Sequence, residues 1–167
     1  MFSTDRAELW IRRSATSRLE AMKFEELPEN WNTLPLDDGP LAAGVIDLVM
    51  GYRDRLRHSL LVLPCDEYDV PLPTPMLFGD VDWSEPGPAR REKLQFLPQV
   101  PAAGFVVALS ARRRLPANLV RCWLRTFEDT LDASGQALLA FGVAHMNGVE
   151  IVGGRAVHNG SLGAEAG

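Results

Sequence analysis

The sequence predicts one α/β (or α+β) domain, in which a mixed sheet of about four strands packs against two or three helices. Two short apolar runs, Ser59–Leu63 and Gly104–Leu109, have the length and composition of buried strands. An amphipathic stretch and a third apolar strand, Ala137–His145, follow the second run. This strand–helix–strand order is typical of a right-handed parallel crossover. We therefore place the globular domain at residues 1–152 and a Gly-rich tail at residues 153–167.

The N-terminal residues fit two different structures. Apolar residues recur there at helical spacing, namely Ile11, Ala15, Leu19 and Met22. That spacing predicts one helix over about Thr4–Glu26. The alternative is a short strand at Leu9–Arg12, followed by a helix that Ser17 caps. Pro28 ends the element in both cases, because the residue before a proline avoids the α region.

The next helix has a clear start. Asp37–Asp38 supplies an acidic cap and Pro40 lies in the first turn, where proline needs no hydrogen-bonded N–H. An apolar-periodic run follows, and it predicts a helix that continues to about Arg57. Its internal glycines, Gly44 and Gly51, weaken it.

Proline and glycine mark the ends of the later elements. Pro64 is expected to end the first strand, since proline cannot donate to the ladder. Pro116 opens the amphipathic helix, and Gly135 is placed as its C-terminal cap. The apolar stripe of that helix is Leu119, Val120, Trp123, Phe127 and Leu131. Asn147–Gly148 predicts a two-residue hairpin turn into a last strand, Val149–Val152.

Composition narrows the classes of function. The 167 residues carry a formal net charge of −5, which argues against general nucleic-acid binding and against recruitment to an anionic membrane. The first residues lack the apolar core of a signal peptide, and no uncharged stretch is long enough to span a bilayer. We therefore expect a cytoplasmic protein. The two cysteines do not form a disulfide framework.

An acidic, proline-rich insertion at residues 64–101 interrupts the domain. Eight of the twelve prolines lie there, and residues 58–89 hold six carboxylates with no Lys or Arg. A loop of this length is often functional. Two interpretations are open: the segment wraps its own domain, tucking Leu72, Met76 and Phe78 into the core, or it binds a partner. The first is the more common use of extended loops.

If the segment binds a partner, its aromatic and acidic side chains are the candidate contacts: Tyr68, Phe78, Asp80, Asp82 and Trp83. A cluster of three arginines precedes the Pro116 helix, at Arg112, Arg113 and Arg114. These arginines either pair with the acidic segment, through Asp80 or Asp82, or bind a phosphate or an acidic partner.

Asp80 and Asp82 also fit a metal site, because alternate residues of an extended segment point to one side. Paired carboxylates are ligands that Mg²⁺ prefers, and the pattern is similar to the DxD motif of glycosyltransferases. Asp66 is a possible third ligand. In this alternative the protein is a small metal-assisted transferase or hydrolase acting on a phosphate-containing substrate.

The chain has no recognisable nucleophile elbow, P-loop, dinucleotide fingerprint or zinc-ligand spacing. Cys65 follows the first strand, but the carboxylates beside it oppose an activated thiolate. The sequence therefore favours a non-enzymatic protein-binding domain without a cofactor, such as an adaptor, a regulator, a chaperone or an immunity-type inhibitor. The partner is expected to be another protein, and a homodimer is compatible with the sequence.

Overall fold

The apolar runs form one mixed sheet. The computed structural model describes residues 22–157, and its strands are β1 (Leu60–Cys65), β2 (Met76–Phe78), β3 (Gly104–Ser110), β4 (Ala137–His145) and β5 (Gly148–Gly153). Their order across the sheet is β2-β1-β3-β4-β5, with β3 and β4 parallel and the other neighbours antiparallel. The predicted single domain with a mixed sheet is confirmed, and β2 is a strand that the sequence did not predict.

The helices are α1 (Gly39–Val49), α2 (Tyr52–Leu56), α3 (Gly87–Lys93) and α4 (Ala117–Ser134). Short 3-10 turns lie at Phe24–Glu26, Trp31–Thr33 and Leu97–Gln99. Both predicted N-terminal structures fall outside the described residues up to residue 21, and in the described part of the first, residues 22–26, the chain forms only the 3-10 turn Phe24–Glu26. Most of the predicted tail falls outside the described residues as well. No helix within residues 22–157 has the length and apolar character needed to cross a membrane.

The first long helix begins as predicted but ends early. The Asp38 carboxylate accepts a hydrogen bond from the Leu41 N–H at 3.2 Å, which confirms the acidic cap. The prediction that this helix continues to Arg57 is wrong, because α1 stops at Val49 and α2 starts afresh. Gly51 is extended at the break, and its N–H donates to the Asp54 carboxylate at 3.0 Å. A glycine with a capping partner therefore favours two helices over one.

The strand–helix–strand unit is confirmed. α4 ends at Gly135, which adopts the left-handed conformation expected of a glycine cap. β3 and β4 flank α4 in sequence and pair in parallel. The hairpin is one residue out of register with the prediction, because His145 pairs with Gly148 and the two connecting residues are Met146 and Asn147.

Pro64 does not end the first strand, contrary to the prediction. The Cys65 carbonyl accepts from the Ala103 N–H on the β3 side, whereas the Pro64 carbonyl accepts from the Leu72 N–H on the opposite side. The proline nitrogen therefore faces the β2 side, and its missing donor costs the β1–β3 ladder nothing. β1 continues to Cys65 for that reason.

Alternating side chains give the sheet two buried faces. One face packs against α1 and includes Leu61, Leu63, Val106 and Ala108. The other packs against α4 and includes Leu60, Val62, Phe105 and Val107. A strand that is buried on both faces has a continuous apolar sequence. For this reason, apolar and polar residues do not alternate along β1 and β3.

The segment 64–101 returns along β1 and then crosses the α4 face. The Leu72 N–H donates to the Pro64 carbonyl and Pro71 forms a bridge with Cys65, so the chain runs along the edge of β1 towards β2. β2, α3 and a 3-10 turn lie within the segment, so part of it is regular rather than irregular as predicted. Of the residues that the wrapping interpretation placed in the core, Leu72 and Met76 are partly buried and Phe78 is exposed.

Candidate functional site

Two adjoining depressions lie where β1 begins and β2 ends. The larger is open, has a volume of about 310 Å³, and is lined by Leu56, Arg57, His58, Asp80, Val81 and Asp82. The smaller is more enclosed, has a volume of about 170 Å³, and is lined by Leu60, Phe78, Gly79, Asp80, Val81, Lys93 and Phe96. Asp80 and Val81 border both, so the two depressions form one surface, which we call the β2-end surface.

The backbone at this surface extends the β1–β2 pairing. The Asp80 N–H donates to the Arg57 carbonyl at 2.7 Å, and the Val81 N–H donates to the His58 carbonyl at 3.0 Å. His58 and Asp80 both have positive φ angles, of 50° and 57°. His and Asp tolerate this conformation better than most side chains. Each of the two facing segments therefore turns sharply at the same end of the sheet.

An exposed ion pair bridges the two segments. The Arg57 guanidinium donates to the Asp80 carboxylate at 2.8 Å. That hydrogen bond and the charge of Arg57 lower the pKa of Asp80 and raise the pKa of Arg57. Gly79 permits the arrangement, since a Cβ at that position would lie 2.9 Å from the guanidinium.

Asp82 has a different environment. Its Oδ1 accepts the Ser84 N–H at 3.0 Å and the Ser84 hydroxyl at 2.6 Å. These hydrogen bonds lower the pKa of the Asp82 carboxyl, so it is ionised at neutral pH. No cation forms an ion pair with it among the described residues.

Aromatic side chains form the apolar part of the surface. Phe78 is 41% exposed, and its ring lies 5.3 Å from that of Phe96, centroid to centroid. Lys93 borders the same depression and pairs with Glu85 at 3.0 Å. An apolar patch with a charged border has the composition of a protein interface.

Tyr68 lies at the opposite end of β1. Its ring is 73% exposed, in the turn that follows Cys65. Asp66 organises that turn, because its carboxylate accepts the N–H groups of Tyr68 and Val70 at 2.9 and 3.0 Å. The structure therefore brings together Phe78, Asp80 and Asp82 and leaves Tyr68 apart from them.

Trp83, predicted as a partner contact, is a core residue. It is 4% exposed, and its Nε1–H donates to the Ser110 carbonyl at 2.9 Å. Its own carbonyl accepts from Trp123 Nε1–H at 2.7 Å, and the two indole rings pack edge to face at 5.2 Å. The sequence could not distinguish an exposed tryptophan from one whose polar tip finds a buried acceptor.

The predicted pairing of the arginine cluster with Asp80 or Asp82 does not form. Arg112, Arg113 and Arg114 are exposed. Arg114 instead makes a close ion pair with Glu150 on β5. The partner of Asp80 is Arg57, which lies shortly before β1. Arg57 therefore takes the place predicted for the arginine cluster.

The three-carboxylate metal site does not form either. Asp66 belongs to the turn at the far end of β1, away from Asp80 and Asp82. Within residues 22–157, no group of three His, Cys, Asp or Glu side chains is placed to hold a metal ion. Of the remaining two carboxylates, Asp80 is paired with Arg57 and Asp82 accepts hydrogen bonds from Ser84.

The two thiols differ in environment. Cys65 is buried, and burial together with Asp69 and Asp66 raises the pKa of its thiol to about 12. Cys65 is therefore a packing residue and not a nucleophile at neutral pH. Cys122 is exposed on α4.

The sequence predicted only three contacts of the β2-end surface, namely Phe78, Asp80 and Asp82. Arg57, His58 and Phe96 contribute to it, and none of them lies in a recognisable motif. The one usable signal was the position of Arg57 and His58 directly before a predicted strand. Phe96 follows α3 and reaches the surface through its ring contact with Phe78.

The chain was compared with protein-family models, with curated proteins and with solved structures, and none of the three comparisons gives a significant match.

Proposed function

We propose that the protein is a non-enzymatic protein-binding domain, such as an adaptor, a regulator, a chaperone or an immunity-type inhibitor, and that it captures its partner with the β2-end surface. The observation that carries the proposal is the exposed Phe78 ring, which packs at a tilt against Phe96 and borders the 170 Å³ depression. Aromatic anchors beside a pocket, with charged groups around them, dominate the binding energy of many interfaces.

Side-chain capture fits this edge better than strand addition. β2 has three residues, and Pro71, Pro73 and Pro75 precede it along the same edge. Proline offers no N–H to an incoming strand, and prolines on an edge strand protect it from pairing. A partner therefore gains more from the depressions than from the backbone of β2.

The charges support recognition of a partner rather than chemistry. Asp80 and Lys93 are each held in an ion pair, and the Asp82 carboxylate caps a turn. A general acid or base needs a pKa near the working pH, and the pKa values of Asp80 and Asp82 are shifted downward, away from neutrality. Tyr68, at the other end of β1, is a second contact for a partner large enough to reach it.

The test is affinity capture from the native cell with quantitative mass spectrometry, using wild-type protein, Phe78→Ala and Phe24→Ala. Phe24 is a matched control because it is 45% exposed and lies near α1. We expect Phe78→Ala to lose the partner, with a loss of at least about 2 kcal/mol of binding free energy if Phe78 is an anchor. Equal recovery of the same proteins by all three variants would contradict the proposal.

A further inference from the structure

We infer that the partner presents a polypeptide segment that combines a large apolar side chain with a lysine or arginine, the apolar group entering the smaller depression and the cation lying against Asp82. This inference rests on the proposed function. It adds the chemistry of the partner, which the position of the surface alone does not specify.

The smaller depression indicates that the partner contributes an apolar side chain. Its walls include Leu60, Phe78, Val81 and Phe96, and its volume is about 170 Å³. An apolar cavity of about 150 Å³ admits a benzene-sized ring, and here Asp80 and Lys93 also border the depression. One large apolar side chain is therefore the occupant that matches both the size and the lining.

The pairing of charges in the surface indicates that the partner contributes a cation. Arg57 is engaged with Asp80, and Lys93 is engaged with Glu85. Asp82 borders the larger depression and is exposed, and its carboxylate accepts hydrogen bonds from Ser84. Asp82 therefore has no ion-pair partner among the described residues, and Lys93, whose charge acts on Asp82, is itself paired with Glu85. A partner cation complements the charge of Asp82, whereas a partner carboxylate would be repelled.

A second copy of this chain is the competing occupant of the surface, and the experiment distinguishes it from a partner peptide. A second copy would have to bring its own apolar and basic side chains to the same surface. A linear peptide presents them without any folded context, so capture of peptides by the monomer distinguishes the two.

The experiment is selection from a random peptide display library on immobilised full-length protein, followed by affinity measurement on the enriched peptides. We expect enriched sequences to pair Trp, Phe or Leu with a nearby Lys or Arg. The key variant is Asp82→Asn, because asparagine keeps the oxygen that caps Ser84 and removes only the charge. We expect it to weaken binding about two- to fivefold, as exposed ion pairs do, and to remove most of the salt dependence.

Glu67→Gln is the matched control, since Glu67 is an exposed carboxylate in the same acidic segment at the far end of β1. Peptides without a basic residue, an unchanged affinity in Asp82→Asn, or no enrichment would each overturn this inference. Retained binding in Phe78→Ala would overturn the proposed function instead, whatever the charge of the peptides. If Phe78→Ala abolishes binding and Asp82→Asn leaves it unchanged, the partner binds the β2-end surface but no cation of the partner lies against Asp82.

Discussion

Trp83 shows how one side chain decides whether a segment is surface or core. The indole donates to the Ser110 carbonyl and packs edge to face on Trp123, so it joins the acidic segment to both β3 and α4. Its neighbours in sequence, Asp82 and Ser84, are exposed. The aromatic content of the segment therefore has two uses, with Trp83 as the internal anchor and Phe78 and Tyr68 facing outward.

Replacing Trp83 by alanine should destabilise the domain strongly. Removing a buried indole and orphaning its partner groups costs about 3–5 kcal/mol, which urea unfolding would measure as a lower midpoint. Tyr68→Ala, in the same segment but exposed, should stay within about 0.5 kcal/mol of wild type. Equal stability of the two variants would mean that Trp83 is not part of the core.

Asp80 should titrate below its usual pKa of 3.8, because Arg57 stabilises the carboxylate. A depressed pKa in the folded state stabilises the protein above the unfolded-state pKa, and the effect is lost as the pH falls through the folded-state value. NMR titration of the side-chain carboxyls should show a higher pKa for Asp80 in Arg57→Gln than in the wild type. Asp82 is the internal control, since Ser84 lowers its pKa and the substitution leaves Ser84 in place. An unchanged Asp80 pKa in that variant would show that the ion pair is absent in solution.

At the scale of the elements, α3 is the part that completes the β2-end surface. The Arg90 guanidinium donates to the Glu85 carbonyl at 2.7 Å and lies 6.0 Å from the Trp123 ring centre. Leu94 and Leu97, at the end of α3 and in the turn after it, are buried in the α4-side core. These contacts hold Phe96 against Phe78, so the site depends on a helix that the sequence did not predict.

Some elements are determined by residues within one stretch of sequence, and others depend on contacts with distant parts of the chain. α4 and its Gly135 cap were predictable, because the apolar stripe and the cap lie within one stretch of sequence. The break at Gly51 and the passage of β1 through Pro64 were not, because they depend on Asp54 and on which neighbouring strand faces the proline nitrogen. At the candidate site, Phe78, Asp80 and Asp82 were named from composition, but the partnership of Asp80 with Arg57 is a tertiary contact.

Two glycines offer a matched test of the packing around β5. Gly135 and Gly154 both have positive φ, but a Cβ at Gly135 meets nothing within 4 Å, whereas one at Gly154 lies 2.8 Å from the Ala140 backbone. Gly135→Ala should cost about 1–2 kcal/mol for its left-handed conformation. Gly154→Ala should cost about 1–3 kcal/mol more because backbone cannot yield easily. Thermal unfolding of the two variants measures the difference, and equal melting temperatures would argue against the close approach of the chain after β5 to β4.

At the scale of the molecule, the acidic segment has a buried part, which includes Trp83, and an exposed part. The exposed aromatic side chains of the acidic segment, Tyr68 and Phe78, lie at opposite ends of β1. Because a strand rises about 3.3 Å per residue, they are separated by more than roughly 15 Å. An interface of standard size covers about 800 Å² on each partner and can span that distance. One partner can therefore contact both ends, with Phe78 as the anchor and Tyr68 at the border.

The most direct test of the central claim is photo-crosslinking in the native cell from a single position. A photoreactive phenylalanine analogue would replace Phe78 in one variant and Phe24 in the other, since the two side chains are similarly exposed. The β2-end surface predicts a discrete crosslinked adduct to another protein from position 78 and none of the same mass from position 24. Absence of an adduct at position 78, or the same adduct from both positions, would contradict the claim that this surface binds a partner.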